Sequence, residues 1–104
     1  MISKIYNRVR LKTNIAKIQE LYGIQFHRAK MINNLLDDHL SYGYSEKIVR
    51  RAKNEGRITY SQWVRSVKSL IKVDLQILNL LIELAKENKA AKEFEKRRLQ
   101  KLIT

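Results

Sequence analysis

Apolar residues recur at spacings of three and four along most of the chain, and no alternating apolar–polar run persists. That pattern predicts helices and no strands. Gly23, Gly43 and Gly56 divide it into four stretches. Each glycine stands where a helix C-terminus is expected. The first stretch, 2–22, carries Ile2, Ile5, Tyr6 and Val9, then Ile15, Ile18, Leu21 and Tyr22. Its phase slips near Thr13-Asn14, which can cap a fresh helix start, so it reads as one kinked helix or two. The second stretch places Phe26, Ala29, Ile32, Leu35, Leu36 and Leu40 on one face. Residues 41–44 then read as a loop. Ser45 reads as the N-cap of a short third helix over 46–55, with Glu46 favourable in its first turn.

The last stretch, 57–104, has no Gly or Pro, and Thr59 or Ser61 can cap its start. Trp63, Leu70, Ile77, Leu84 and Ala91 recur every seven residues, with Ser66, Val73, Leu80, Glu87 and Phe94 as the companion row. The seam is good from Trp63 to Leu84 and fails at Glu87; Val64, Ile71, Leu78 and Leu81 widen it beyond a narrow two-stranded contact. Unbroken, such a helix would reach roughly 70 Å at about 1.5 Å per residue, whereas a domain of this size has a radius of gyration of about 13 Å. The stretch must therefore break, near Asp74 or Asn88, or project and be buried by a partner. Leu75 to Ala85 is apolar on more than one face. This makes it a central core helix or a partner interface carried by Leu75, Leu78, Leu81 and Ile82. The fold expected is all-α: a single domain over 1–104, a small bundle of three to five helices with a long C-terminal helix. Residues 86–104 form its projecting basic end.

Composition narrows the chemistry. The 104 residues include no Cys, which excludes disulfides, cysteine nucleophiles and Cys-ligated metals. The most apolar run, 73–85, is 13 residues long and is interrupted by Asp74, Gln76, Asn79 and Glu83. A membrane span needs about 20 mostly apolar residues. The start, MISKIYNRVR, lacks the apolar core of a secretory signal. A cytoplasmic location is expected, or the host cytoplasm or virion for a viral protein. Ile (12), Lys (13), Asn (7) and Tyr (5) are abundant, as an A/T-rich genome would produce.

Charge changes the picture most. Lys and Arg number 22 against 10 Asp and Glu, for a net charge of +12. Residues 1–36 carry +6, residues 37–56 are neutral overall, and residues 57–74 and 75–104 carry +3 each. Lys4, Arg8 and Lys12 stack on one helical face, and so do Arg65, Lys68 and Lys72. Like charges at this spacing repel, and a polyanion relieves them with release of its counterions. Lys96, Arg97, Arg98 and Lys101 read either as a DNA-binding extension or as a solvated helix end complementing the helix dipole.

One motif bears on recognition. Across 45–70, IVRRAKNEG and TYSQWVRSVKSL resemble the two helices of a helix-turn-helix, with Ala52 and Gly56 as its small residue and turn glycine. A recognition helix would begin near Thr59, presenting Tyr60, Ser61, Gln62 and Arg65 to a groove. Gln can read adenine and Arg guanine. Glu55 and Arg57 depart from the motif, since both stand at apolar positions. A turn longer by one residue brings Ile58 and Trp63 into the core. Tyr42, Tyr44, Tyr60 and Trp63 interleave with Arg50, Arg51 and Arg57, a composition suited to base stacking. Trp63 lies on the apolar row and reads as core, leaving Tyr42 and Tyr44 as the better stacking residues.

No catalytic set is legible. His27 and His39 are too far apart for metal ligation, and Asp37, Asp38 and His39 point in different directions on a helix. No phosphate loop, nucleophile elbow or zinc-protease motif occurs. No enzyme activity, metal or cofactor is expected. The leading expectation is a small basic helical protein binding nucleic acid, DNA rather than RNA. It would act as a packaging, accessory or regulatory factor, as for a virus or mobile element, through Lys4, Arg8, Lys12, Arg50, Arg51, Arg57, Tyr60, Gln62, Arg65, Lys68 and Lys72. The alternative is a protein-interaction module, an inhibitor or assembly subunit that docks or dimerises through its long helix. Binding to an anionic membrane ranks last, because the N-terminal segment offers little apolar anchor.

Overall fold

The computed structural model describes residues 13–103, and among them the chain forms five helices and no strand. These are α1 (Asn14–Tyr22), α2 (Phe26–His39), α3 (Tyr44–Asn54), α4 (Ser61–Lys68) and α5 (Leu75–Ile103). The expected all-helical bundle with a long C-terminal helix is the fold observed. The phase slip at Thr13 is a helix start: Thr13 is extended, and its Oγ1 accepts the Ala16 N–H at 3.1 Å. This satisfies one donor that the first turn leaves open.

The core gathers around the first three turns of α5. Ile77, Leu78, Leu80, Leu81, Leu84 and Ala85 are buried there against Leu35 and Leu36 of α2, Ile48 and Ala52 of α3, and Val64 and Val67 of α4. Three helices surround this segment, which explains why its sequence is apolar on more than one face. A buried Leu or Ile stabilises by about 1.5–3 kcal/mol, so this segment dominates the fold. Leu78 and Leu81, read as partner contacts, are 2% and 0% exposed and belong to the chain's own core. Of that set only Leu75 is exposed, and Ile82 is half-buried.

The stretch after Gly56 does break, and it breaks at Asp74. Helix α4 closes with Leu70 in the left-handed region at φ +64°. The Leu70 N–H returns to the Val67 carbonyl (3.1 Å) and the Ile71 N–H to the Ser66 carbonyl (2.9 Å). These are the two bonds of a Schellman ending, with leucine where glycine is usual. The heptad rows therefore do not continue through Leu70 and Val73. Asp74 opens α5: its Oδ1 accepts the Ile77 N–H at 3.2 Å and its carbonyl accepts the Leu78 N–H at 2.9 Å. There is no second break at Asn88. Its Nδ2 donates to the His39 carbonyl at 2.8 Å, closing the end of α2, while α5 runs on. Residues 89–103 are exposed throughout and extend about 22 Å at 1.5 Å per residue.

Two caps differ from expectation. Helix α3 starts at Tyr44, with Gly43 (φ +83°) preceding its first turn rather than ending α2. Ser45 consequently lies inside the helix and is buried; it does not cap it. Helix α4 starts after an extended Tyr60 that makes no side-chain cap bond, so neither Thr59 nor Ser61 serves as its N-cap.

Candidate nucleic-acid interface

Helices α3 and α4 pack against each other across the turn 55–60. The turn begins with a second Schellman ending. Gly56, at φ +84°, donates to the Lys53 carbonyl (3.0 Å), and the Arg57 N–H donates to the Ala52 carbonyl (2.8 Å). The conformation at Gly56 is one that L side chains adopt only with strain, which accounts for the glycine. An apolar side chain commonly follows such a glycine and packs back on the helix. Here Arg57 follows, and it turns toward the start of α5 instead.

The Arg57 guanidinium grips the Asp74 carboxylate with two nitrogens, Nη1 lying 2.8 Å from Oδ1 and Nη2 bonding Oδ2. Nη1 also donates to Gln76 Oε1 at 3.1 Å. Trp63 Nε1 donates to Asp74 Oδ2 at 2.7 Å, and the Asp74 backbone N–H donates to the Tyr22 hydroxyl at 3.2 Å. The Asp74 side chain is 8% exposed and that of Arg57 32%. Arg57, with the Trp63 and Ile77 N–H donors, holds the Asp74 carboxyl down at about 2 despite its burial. Burial pushes the Tyr22 hydroxyl the other way, up from its usual value. Asp74 thus joins the α3–α4 turn, α4 and α5 through its carboxylate and α1 through its backbone N–H, and so fixes how α4 is presented.

This network reassigns several candidates. Arg57 is committed to Asp74. Arg51 makes a paired contact with Glu87 on α5, at 2.5 and 3.0 Å, which lowers the Glu87 carboxyl and raises the Arg51 guanidinium. Trp63 packs against the core, as its place on the apolar row predicts. Ile58 is 92% exposed, so the longer turn does not bring it inside. Tyr44 begins α3 beneath the Lys68 ammonium, 5.8 Å from its ring centroid, so Tyr42, fully exposed, is the open ring of the two.

What remains outward on α4 is polar and basic. Tyr60, Gln62 and Arg65 are exposed, and Arg65 Nη1 reaches Ser45 Oγ at 3.4 Å. Lys68 is half-buried over Tyr44. Lys72 is exposed but lies past the end of α4, so Arg65, Lys68 and Lys72 do not form one helical stripe. Leu70 reverses the chain between them. Arg50 is exposed on the outer side of α3. From Arg57 to Val73 the sequence has no acid. The stripe of Lys4, Arg8 and Lys12 lies outside the described residues.

Asp74 is the residue that sequence reading underrated. Its place before an apolar helical run signals a cap. Its bonds to Tyr22, Arg57 and Trp63 span 52, 17 and 11 residues, and no local pattern announces them. Among the described residues, no group of three or more His, Cys, Asp or Glu could hold a metal ion, and no helix is long and apolar enough to cross a membrane. No protein-family model matches the chain, nor does any curated protein or solved structure.

Proposed function

We propose that the chain binds nucleic acid, DNA in preference to RNA, through the exposed side of α4 and the turns at its two ends. The observation that carries this reading is the acid-free segment 57–73, in which the exposed Gln62 and Arg65 lie on a helix anchored by Asp74 and the exposed Tyr60 and Lys72 flank it. A recognition element must be held rigid, and the Asp74 bonds do that. Gln62 and Arg65 are the pair able to read base edges, adenine and guanine respectively. Lys72, with Arg50 on α3, serves the phosphates, which position a protein without reading sequence. Tyr60 and Tyr42 offer rings to an unstacked base. The overall charge of +12 adds the long-range attraction. A packaging, accessory or regulatory role fits binding of this kind.

Fluorescence anisotropy with labelled duplex and single-stranded DNA and with RNA, titrated at several salt concentrations, tests the proposal. Micromolar or tighter binding that weakens steeply between about 50 and 200 mM salt is the expected result. Absence of binding to all three at about 50 mM salt would overturn it.

A further inference from the structure

A second surface of different chemistry lies between α2 and α5. Two adjoining hollows there, of about 620 and 290 Å³, share Met31, Leu35 and Lys86 and so form one groove. It follows α5 from Leu75 to Glu93, about 27 Å at 1.5 Å per residue. The floor of the smaller hollow is apolar and continues into the larger through Met31 and Leu35, beyond which the lining is mainly polar. Leu35 and Leu78 are buried, Ile82 is half-buried, and Met31 and Leu75 remain 51% and 61% exposed. Its charge is asymmetric. Arg28, Lys30, Lys86 and Lys89 line it, and the carboxylates Asp38 and Glu93 stand together at one end. Among the described residues, none of these four cations is held in an ion pair.

We infer that this groove docks an amphipathic helix of a partner protein, with an acidic flank. Apolar side chains at successive turns of such a helix would cover Met31, Leu75 and Ile82, which is the helix-in-groove mode of recognition. Methionine adapts its shape to such contacts. Acidic residues beside that apolar stripe would face Arg28, Lys30, Lys86 and Lys89. The end of the occupant over Asp38 and Glu93 would be uncharged or basic. A nucleic acid is the poorer match, because phosphates would satisfy the cations and leave Met31 and Leu75 in water. A second copy of the chain is poorer still, because each copy carries +12. The inference does not rest on nucleic-acid binding by α4, which uses other residues.

The test uses the full chain and a labelled synthetic helix of about 18 residues, long enough to span the groove. The peptide carries leucines at positions i, i+3, i+4 and i+7 and glutamates beside them; a control peptide replaces every glutamate with lysine. Anisotropy is expected to show micromolar binding of the acidic peptide and none of the basic one. Lys86→Glu, an exposed change, weakens the acidic peptide by about tenfold while leaving the helical circular dichroism intact. Met31→Asp weakens it independently of Lys86. No binding of the acidic peptide, equal binding of both peptides, or full displacement by a duplex oligonucleotide would each overturn the inference.

Discussion

Arg57 and Asp74, 17 residues apart, meet as a two-pronged ion pair that closes the α3–α4 turn onto the start of α5. The same carboxylate takes the Trp63 indole N–H and caps α5 through the Ile77 N–H. It therefore does two things at once: it ends the apolar run's freedom to continue as one long helix, and it orients α4.

Replacing this carboxylate is expected to cost more than a surface ion pair would. Asp74→Ala removes a helix cap and leaves the half-buried Arg57 and Trp63 donors without their acceptor, a loss of about 2–4 kcal/mol. Asp74→Asn keeps an amide that can cap and accept one bond, and it costs about half as much. Urea denaturation of the two variants checks the order. By contrast, Arg51→Ala breaks a more exposed pair and costs less than about 1 kcal/mol.

The same group sets an acid response. Held by Arg57, its folded-state carboxyl titrates at about 2, below its ordinary value of 3.8. The unfolded chain therefore binds this proton at a higher pH than the folded one, and folding stability rises with pH through that interval. The contribution is complete above pH about 4 and is lost as pH falls toward about 2. The stability difference between the native chain and Asp74→Asn is expected to shrink over that window and to stay flat from pH 5 to 7. Urea midpoints measured across the range report it. A difference that grew on acidification would contradict the assignment.

Two helix endings of the same geometry carry different residues, and they predict opposite substitutions. Gly56→Ala meets nothing within 4 Å of the new Cβ, yet φ is +84°, so the expected loss of about 1 kcal/mol is purely conformational. Leu70 already bears that strain at φ +64°. Leu70→Gly relieves about 1 kcal/mol of it and gives up part of the packing of a half-buried leucine, for a net change near zero. Thermal melts of the two variants separate the cases.

On the binding side, Arg65→Ala is expected to weaken duplex binding by about fivefold to a hundredfold if the arginine reads a base, and to flatten discrimination between sequences. Lys72→Ala is expected to weaken all sequences alike and to reduce the salt slope by about 0.9. Competition with sequence-varied duplexes distinguishes the two roles.

The helices themselves were legible because the signals are local. The phase slip at Thr13 is a cap, the aspartate before the apolar run of α5 is a break, and Trp63 on the apolar row packs against the core. The site was less legible. Arg51 and Arg57 look like free cations in a list of residues, but their partners Glu87 and Asp74 lie 36 and 17 residues away. Arg65, Lys68 and Lys72 share a face only while the helix continues, and Leu70 ends it by adopting a conformation that leucine rarely takes. Leu78 and Leu81 read equally as core or as interface, and the choice depended on how many helices pack around α5. Spacing alone does not contain that number.

In the proposed binding mode, α4 and its flanking turns contact nucleic acid while Arg51 and Arg57 hold the fold. The direct measurement is the salt dependence of duplex binding by the native chain, by Arg65→Ala/Lys72→Ala and by Arg51→Ala, from about 50 to 200 mM salt. The double variant is expected to bind more weakly with a slope shallower by about 0.9, since Lys72 is the phosphate contact of the two, and Arg51→Ala is expected to keep the native slope. Native binding and slope in the double variant, or a flattened slope in Arg51→Ala alone, would contradict it.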